Sequence, residues 1–92
     1  MPQEFIKDPD ALLDYKVDWS NWLGTDTIDS SSWAIVGTDN ALTENTTSKT
    51  DDSATIWLDG GTLGKSYEVT NRIITAGGRE DDRTITVRVL DK

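Results

Sequence analysis

The stretch DRTITVRVL, residues 82–90, decides the fold class of this chain. Ile85, Val87 and Val89 alternate with threonine and arginine, so every second side chain points to the same face of an extended backbone. A period of two built from β-branched residues predicts a strand with one buried face. We therefore expect Ile85, Val87 and Val89 to lie in the core of a β-sheet domain.

The segment before this strand predicts its partner. Residues 67–75, YEVTNRIIT, place Tyr67, Val69 and Ile73 on one face, and the glycines of AGGREDD, residues 76–82, predict a turn. Tyr67 follows a turn, as does the tyrosine of the next-to-last strand in immunoglobulin-like domains, whose hydroxyl bonds back to the chain. Tyr67 is either such a corner residue or simply a core aromatic, and both interpretations bury its ring.

Short strands are also predicted upstream. Their ranges are residues 14–19, 26–30, 32–37 and 54–58, with a short edge strand around Leu42 that is followed by an exposed loop. Residues 26–30 and 32–37 form either two strands or one strand through a bulge. Six or seven short strands predict an all-β fold, an immunoglobulin-like or fibronectin-type antiparallel β-sandwich. The helical signal is limited to one turn at residues 9–13, with Asp8 as its cap.

The composition excludes several classes of function. The chain has 92 residues, a single-domain length, and a net charge of −8. Nucleic-acid binding depends on clustered lysine and arginine, so we expect no nucleic-acid partner, and an anionic membrane surface is disfavoured for the same reason. No apolar stretch approaches the length of a membrane span, and we expect neither a span nor an export signal.

The charge is unevenly distributed along the chain. Residues 1–59 carry twelve acidic residues against three lysines, a balance of −9, whereas residues 60–92 carry five acidic residues against six basic ones, a balance of +1. This asymmetry favours head-to-tail contacts between copies or docking to a basic partner. The alternative is that solubility alone explains the acidity, as in most small domains.

The residue types available for catalysis are few. The chain contains neither histidine nor cysteine, which removes the commonest general base, the strongest nucleophile and every thiolate metal site. The tripeptide at residues 64–66 matches only the end of a phosphate-binding loop, because Asp59 stands where that motif needs a glycine. We expect no enzyme activity, no cofactor and no resident metal. Acidic residues at 80–82 and at 51–52 leave open a weak calcium site, the alternative being solvated loop charge.

The four tryptophans are the remaining candidate functional residues. We expect Trp33 and Trp57 to contribute to the core and Trp22 to be the most exposed. An exposed tryptophan on a β-sandwich suits either a protein interface or a carbohydrate platform. Trp22 is therefore the candidate partner-binding tryptophan.

A pattern along most of the chain resembles one protein family. It comprises FIKDPDALLDYKVDWSNWL at residues 5–23, DTI at 26–28, TIWLDGG at 55–61 and RTI at 83–85. The order and spacing of these motifs resemble those of the phage fibre-tail adaptor family. The resemblance extends from about residue 5 to residue 90. The resemblance implies a virion structural protein with an immunoglobulin-like fold, and it brings no catalytic residues.

The resemblance also implies a setting and partners. We expect a virion protein, made in the host bacterial cytoplasm, that joins the tail or baseplate to fibres as several symmetric copies. A capsid decoration protein and a carbohydrate-binding surface module remain as alternatives. Residues 1–13 would form an N-terminal arm ahead of a sandwich domain at residues 14–92. Phe5 and Ile6 would anchor this arm on a neighbouring subunit, the alternative being a disordered tail.

Overall fold

Seven strands and one short helix make up the part of the chain that the structure, a computed structural model, describes: residues 3–37 and 39–90. The strands are β1 (Gln3–Lys7), β2 (Leu13–Asp18), β3 (Ile28–Val36), β4 (Leu42–Lys49), β5 (Ser53–Gly60), β6 (Ser66–Thr75) and β7 (Glu80–Val89). The helix α1 (Ser20–Leu23) lies between β2 and β3. The predicted all-β fold class is confirmed.

The strands form two sheets that share one core. The four-stranded sheet has the order β1-β7-β6-β3, and the three-stranded sheet has the order β2-β5-β4. Neighbouring strands are antiparallel except β1 and β7, which run parallel. This arrangement is compatible with an immunoglobulin-like sandwich. One sheet contains β2, β5 and β4, and the other contains β3, β6 and β7 together with β1.

Alternating side chains from both sheets fill the core. Every second residue is buried in β6 from Tyr67 and in β7 from Ile85, and Val87 and Val89 are among these buried residues. The other buried apolar side chains are Tyr15, Val17, Trp19, Leu23, Ile28, Leu42, Ala54, Ile56, Leu58, Val69 and Ile73. The core therefore draws on both sheets and on the short helix between them.

The prediction that Trp57 lies in the core is wrong. Ile56 and Leu58 of β5 are fully buried, so the residue between them points to the solvent face, and 36% of Trp57 is exposed. Trp33 is half-buried and packs against the margin of the core. The fully buried tryptophan is Trp19, directly after β2.

The helical turn lies at α1 and not at residues 9–13. The Oδ1 atom of Asp8 accepts the N–H of Asp10 at 2.8 Å, which closes a tight turn where the helix was predicted. In α1 the carbonyl of Trp19 accepts the N–H of Leu23 at 2.9 Å, and the helix buries the Leu23 side chain. Among the described residues, no helix is long and apolar enough to cross a membrane.

The N-terminal segment is built into the sandwich. The sequence predicts an arm over residues 1–13, whereas β1 pairs with β7 from Gln3 opposite Ile85 to Lys7 opposite Val89. The polarity of QEFIK, residues 3–7, shows no sustained period of two, because a lysine, Lys7, occupies a buried position while Ile6 is exposed.

Of the two remaining edge strands, β3 follows one of the predicted alternatives, a single strand through a bulge, and β4 differs from the prediction. β3 joins the segments predicted at 26–30 and 32–37, and a register shift between Ile28 and Ser30 marks the bulge. β4 extends through the region expected to be a loop. Its main chain pairs with β5 while its side chains after Leu42 stay exposed, so no apolar alternation reveals it.

Candidate interaction surfaces

One end of the sandwich is closed by two tryptophans and two arginines, Trp19, Trp22, Arg79 and Arg83, which we call the aromatic end. The ring of Trp22 meets that of Trp19 edge-on, with centroids 5.4 Å apart. The Cζ atom of Arg79 lies 4.3 Å from the Trp22 ring centroid, and that of Arg83 lies 4.2 Å from the Trp19 ring centroid. Because guanidinium groups bind favourably over indole faces, the two arginines hold this end closed.

A buried amide ties the aromatic end to the four-stranded sheet. The indole Nε1–H of Trp19 donates to Oδ1 of Asn71 at 2.9 Å, and both side chains are fully buried. The Nδ2 group of Asn71 donates in turn to Oγ of Ser31 at 2.8 Å and to the carbonyl of Ser32 at 3.0 Å. These bonds satisfy the amide and fix the position of α1 against β6 and β3.

Asp26 anchors the turn between β6 and β7. Its carboxylate accepts the N–H groups of Thr27 at 2.9 Å and Gly77 at 3.1 Å, and the Nε–H of Arg79 at 3.2 Å. A hydrogen bond from the side chain of Thr75 contributes most, and together these donors lower the pKa of Asp26 from 3.8 to about 2. The loop before β3 is thereby held to the β6–β7 turn.

The opposite end is closed by Tyr67, at the start of β6. Its hydroxyl donates to Oδ1 of Asp39 at 2.6 Å and accepts the N–H of Thr62 at 3.0 Å. The Tyr67 hydroxyl, the N–H of Ala41 and the Thr62 hydroxyl all donate to Asp39 and lower the pKa of its carboxyl. A side chain at Gly37 would collide with the Tyr67 ring, so glycine is needed there. The tyrosine therefore bonds back to the chain as in an immunoglobulin corner.

Lys7 is fully buried at the same end. Its Nζ donates to the carbonyl of Gly60 at 2.8 Å and to that of Asp8 at 2.9 Å. Burial lowers the pKa of Lys7, and it outweighs the opposite effect of the nearby carboxylates of Asp59, Asp8 and Asp10. The buried ammonium group thereby connects β1 to the end of β5.

The large apolar side chains that remain exposed mark the surfaces open to partners. They are Ile6, Leu12, Val36, Trp57, Leu63 and Ile74. Trp57 lies on the middle strand of the three-stranded sheet, opposite Asp14 of β2 and Thr46 of β4. We call this outward-facing surface the Trp57 face, formed by Asp14, Lys16, Asp18, Thr46, Thr55, Trp57 and Asp59.

A family model matches residues 7–88, and its description is podophage GP4 fiber-tail adaptor protein gp77. The match covers most of the chain. The chain belongs to this fiber-tail adaptor family. The resemblance predicted from the sequence motifs is confirmed. No curated protein matches the chain.

The three residues predicted to bind partners of this adaptor lie on different parts of it. Phe5 is half-buried, with its ring centroid 5.1 Å from that of Tyr15, whereas Ile6 points outward from β1. Trp22 is half-buried beneath Arg79, so the prediction that it is the most exposed tryptophan is wrong. Trp57 is the most exposed tryptophan. The alternation of side-chain direction along β5 is the sequence signal that identifies its outward position.

The acidic clusters of the adaptor are engaged with other groups. Arg72 pairs with Glu80 at 3.3 Å and with Asp82 at 3.5 Å on the exposed face of the four-stranded sheet. Asp52 accepts a hydrogen bond from the hydroxyl of Thr50 at 3.0 Å. Within residues 3–37 and 39–90, no group of three or more acidic residues is placed to hold a metal ion.

Proposed function

We propose that this member of the fiber-tail adaptor family is a non-enzymatic virion protein that joins the tail or baseplate to fibres, with several copies in each particle. The observation that carries the proposal is the family match over residues 7–88. The fold supports it, since arginine–tryptophan contacts close one end of the sandwich, hydrogen bonds of Tyr67 close the other, and the outer faces of the sheets remain exposed. Such a protein acts by binding other proteins through its exposed surface.

The Trp57 face is the proposed docking surface for a fibre or tail subunit. Tryptophan is enriched among the residues that dominate binding energy at protein interfaces. The charged residues around Trp57 are Asp14, Asp18 and Asp59 against Lys16. This excess of carboxylates favours a partner that presents an apolar contact to the indole and lysine or arginine at its rim.

The composition of purified particles tests the proposed role. Mass spectrometry of virions from the phage or prophage that encodes the chain should detect it at several copies per particle. After partial dissociation it should remain with the tail or baseplate. Its absence from complete particles, or its presence with the capsid alone, would contradict the proposal.

The Trp57 face also favours a second candidate function, carbohydrate binding. An exposed indole beside a carboxylate, an ammonium group and threonine hydroxyls offers both a stacking surface and hydrogen-bonding groups for a sugar ring. Titration with host surface glycans should then change the tryptophan fluorescence. A flat response across such glycans removes this candidate.

A further inference from the structure

The outer edge of β3 is an unprotected strand edge of this adaptor. β3 is the last strand in the order β1-β7-β6-β3, and in the part of the chain that the structure describes no strand pairs with its far side. From Ser30 to Val36 it reads SSSWAIV, without a charged residue, and Val36 is 65% exposed. Uncharged apolar edge strands are those that pair most readily with another chain.

The other edge strands each carry a feature that discourages pairing. β1 has five residues and runs parallel to its neighbour. β2 has three charged residues among its six. β4 carries Glu44 and Lys49, and a register shift interrupts it between Glu44 and Thr46. Short length, charge and bulges are the means by which edges are kept single. In β3 a bulge and one charged residue, Asp29, lie at its start, and the stretch from Ser30 to Val36 has neither.

The pairing with β6 determines which main-chain groups of β3 are unpaired. The N–H of Ala76 donates to the carbonyl of Thr27 at 2.9 Å. Because hydrogen-bonded and non-hydrogen-bonded pairs alternate along an antiparallel ladder, this bond shows which β3 residues bond to β6. The β3 residues whose main chain faces β6 are then Ser30, Ser32, Ala34 and Val36. The N–H and C=O groups of Ser31, Trp33 and Ile35 consequently point away from the sheet.

Two further observations describe the surroundings of this edge. The indole Nε1 of Trp33 is buried, and within the described residues it has no hydrogen-bond partner. An open groove of about 340 Å³ separates the start of β3 from the end of β4, and its lining is Asp29, Ser30, Ser31, Thr47, Ser48 and Lys49. β4 therefore leaves the start of β3 open.

We propose that β3 pairs in antiparallel fashion with β3 of a second copy of this chain, with Trp33 opposite Trp33 on a two-fold axis. The inference rests on the proposed multi-copy adaptor and deepens it by naming the contact between copies. In this register the uncharged residues 30–36 pair over their whole length, and the main chain of Ser31 bonds to that of Ile35 in the other copy. Four strands from each copy then form one continuous sheet.

Symmetry favours a second copy as the occupant, and the absence of charge along residues 30–36 allows it. Each copy carries a net charge of −8, so two copies repel one another over most of their surfaces. Along residues 30–36 no charge of one copy faces a charge of the other. A two-fold interface requires a patch that matches itself, and an uncharged strand centred on one residue meets that requirement.

Single cysteines test the register, because the chain contains none. Ser32 of one copy and Ala34 of the other form a non-hydrogen-bonded pair with Cα atoms about 4.5 Å apart, which is within disulfide range. A mixture of Ser32→Cys and Ala34→Cys chains should cross-link under mild oxidation, and either variant alone should cross-link much less. The matched control, a mixture of Thr43→Cys and Thr46→Cys chains on β4, should remain uncross-linked.

Charge variants test the dimer itself by sedimentation equilibrium. The wild-type chain should dimerise at concentrations up to about 1 mM. The variants Ser32→Lys/Ala34→Lys and Ser32→Glu/Ala34→Glu should each be monomeric, because like charges then face each other, and their mixture should form a 1:1 dimer. Both positions are exposed, and circular dichroism with thermal melting checks that the fold is kept. The control variant Thr43→Lys/Thr46→Lys, on β4 and outside the groove lining, should remain dimeric.

Three results would overturn the β3 pairing. They are a wild-type chain that is monomeric at every concentration, a dimer that persists in both charge variants, and cross-linking of the β4 control equal to that of the β3 mixture. Each leaves the adaptor role intact, because the composition of virions tests that role independently.

Discussion

The hydroxyl of Tyr67 donates a 2.6 Å hydrogen bond to Oδ1 of Asp39, 28 residues earlier in the chain. The same hydroxyl accepts the N–H of Thr62, so one phenol group joins the β3–β4 loop to the β5–β6 loop. Tyr15 is also buried, but within the described residues its hydroxyl has no partner. The two tyrosines therefore differ in hydrogen bonding far more than in burial.

Replacing each tyrosine with phenylalanine separates these contributions. Tyr67→Phe should lower the free energy of unfolding by about 1–3 kcal/mol, because the N–H of Thr62 and the carboxylate of Asp39 both lose a partner. Tyr15→Phe should change it by less than about 0.5 kcal/mol, since no hydrogen bond is removed. Urea unfolding of the two variants and the wild type measures both values. Equal losses in the two variants would contradict the role assigned to the corner.

Asp26→Asn should lower the melting temperature at neutral pH and make it depend less on pH under acidic conditions. The pKa of Asp26 is held at about 2, below the ordinary 3.8, so the ionised carboxylate stabilises the folded state. That contribution is present above about pH 4 and is lost as the pH falls through about 2. Thermal melting across this range compares the variant with Asp10→Asn, an exposed loop control that removes the same charge. Parallel curves for Asp26→Asn and the wild type would exclude this role.

Trp19→Phe should be much more damaging than Trp22→Phe. The first variant removes the N–H that pairs with Oδ1 of Asn71, leaves that buried oxygen without its donor and creates a cavity, for a loss of about 3 kcal/mol. Trp22 is half-buried, so its variant should lose about 1 kcal/mol through weaker contact with Arg79. Chemical denaturation ranks the two variants, and the reverse order would show that the aromatic end is stabilised differently.

Trp57→Ser should leave the fold intact and weaken binding to the fibre or tail subunit. The indole lies on the solvent face of β5, outside the core, so its removal leaves no cavity between the two sheets. A loss of at least about 2 kcal/mol of binding free energy is expected if it is the central contact of the interface. Pull-down and calorimetry with the purified fibre and tail proteins measure it. Leu63→Ser, which also removes an exposed apolar side chain, is the matched control and should bind normally.

The sequence predicts those strands that alternate and bury one face. β6 and β7 show this pattern, because Val69, Ile73 and Val87 must be covered by the opposite sheet. β1 and β4 do not, because main-chain pairing holds these edge strands while most side chains of β4 remain in water. Strand pairing between distant residues leaves no local pattern, and the sequence alone therefore misses it.

The candidate surface was harder to predict than the fold. Trp57 and Trp22 are the same residue type, and their exposure depends on which face of a strand or helix meets the core. The alternation of Ile56 and Leu58 contains that information for Trp57. No local signal shows that Arg79, 57 positions further along the chain, covers Trp22. That contact exists only because the β6–β7 turn folds back against α1.

The number of fibres on particles assembled without this chain tests whether it joins fibres to the tail or baseplate. The gene would be deleted from its phage, and purified particles would be compared with wild-type particles by electron microscopy and quantitative mass spectrometry. Complete heads and tails that lack fibres are expected, with fibres restored by the wild-type chain and not by Trp57→Ser. Particles that lack the chain and carry the normal number of fibres would contradict this expectation.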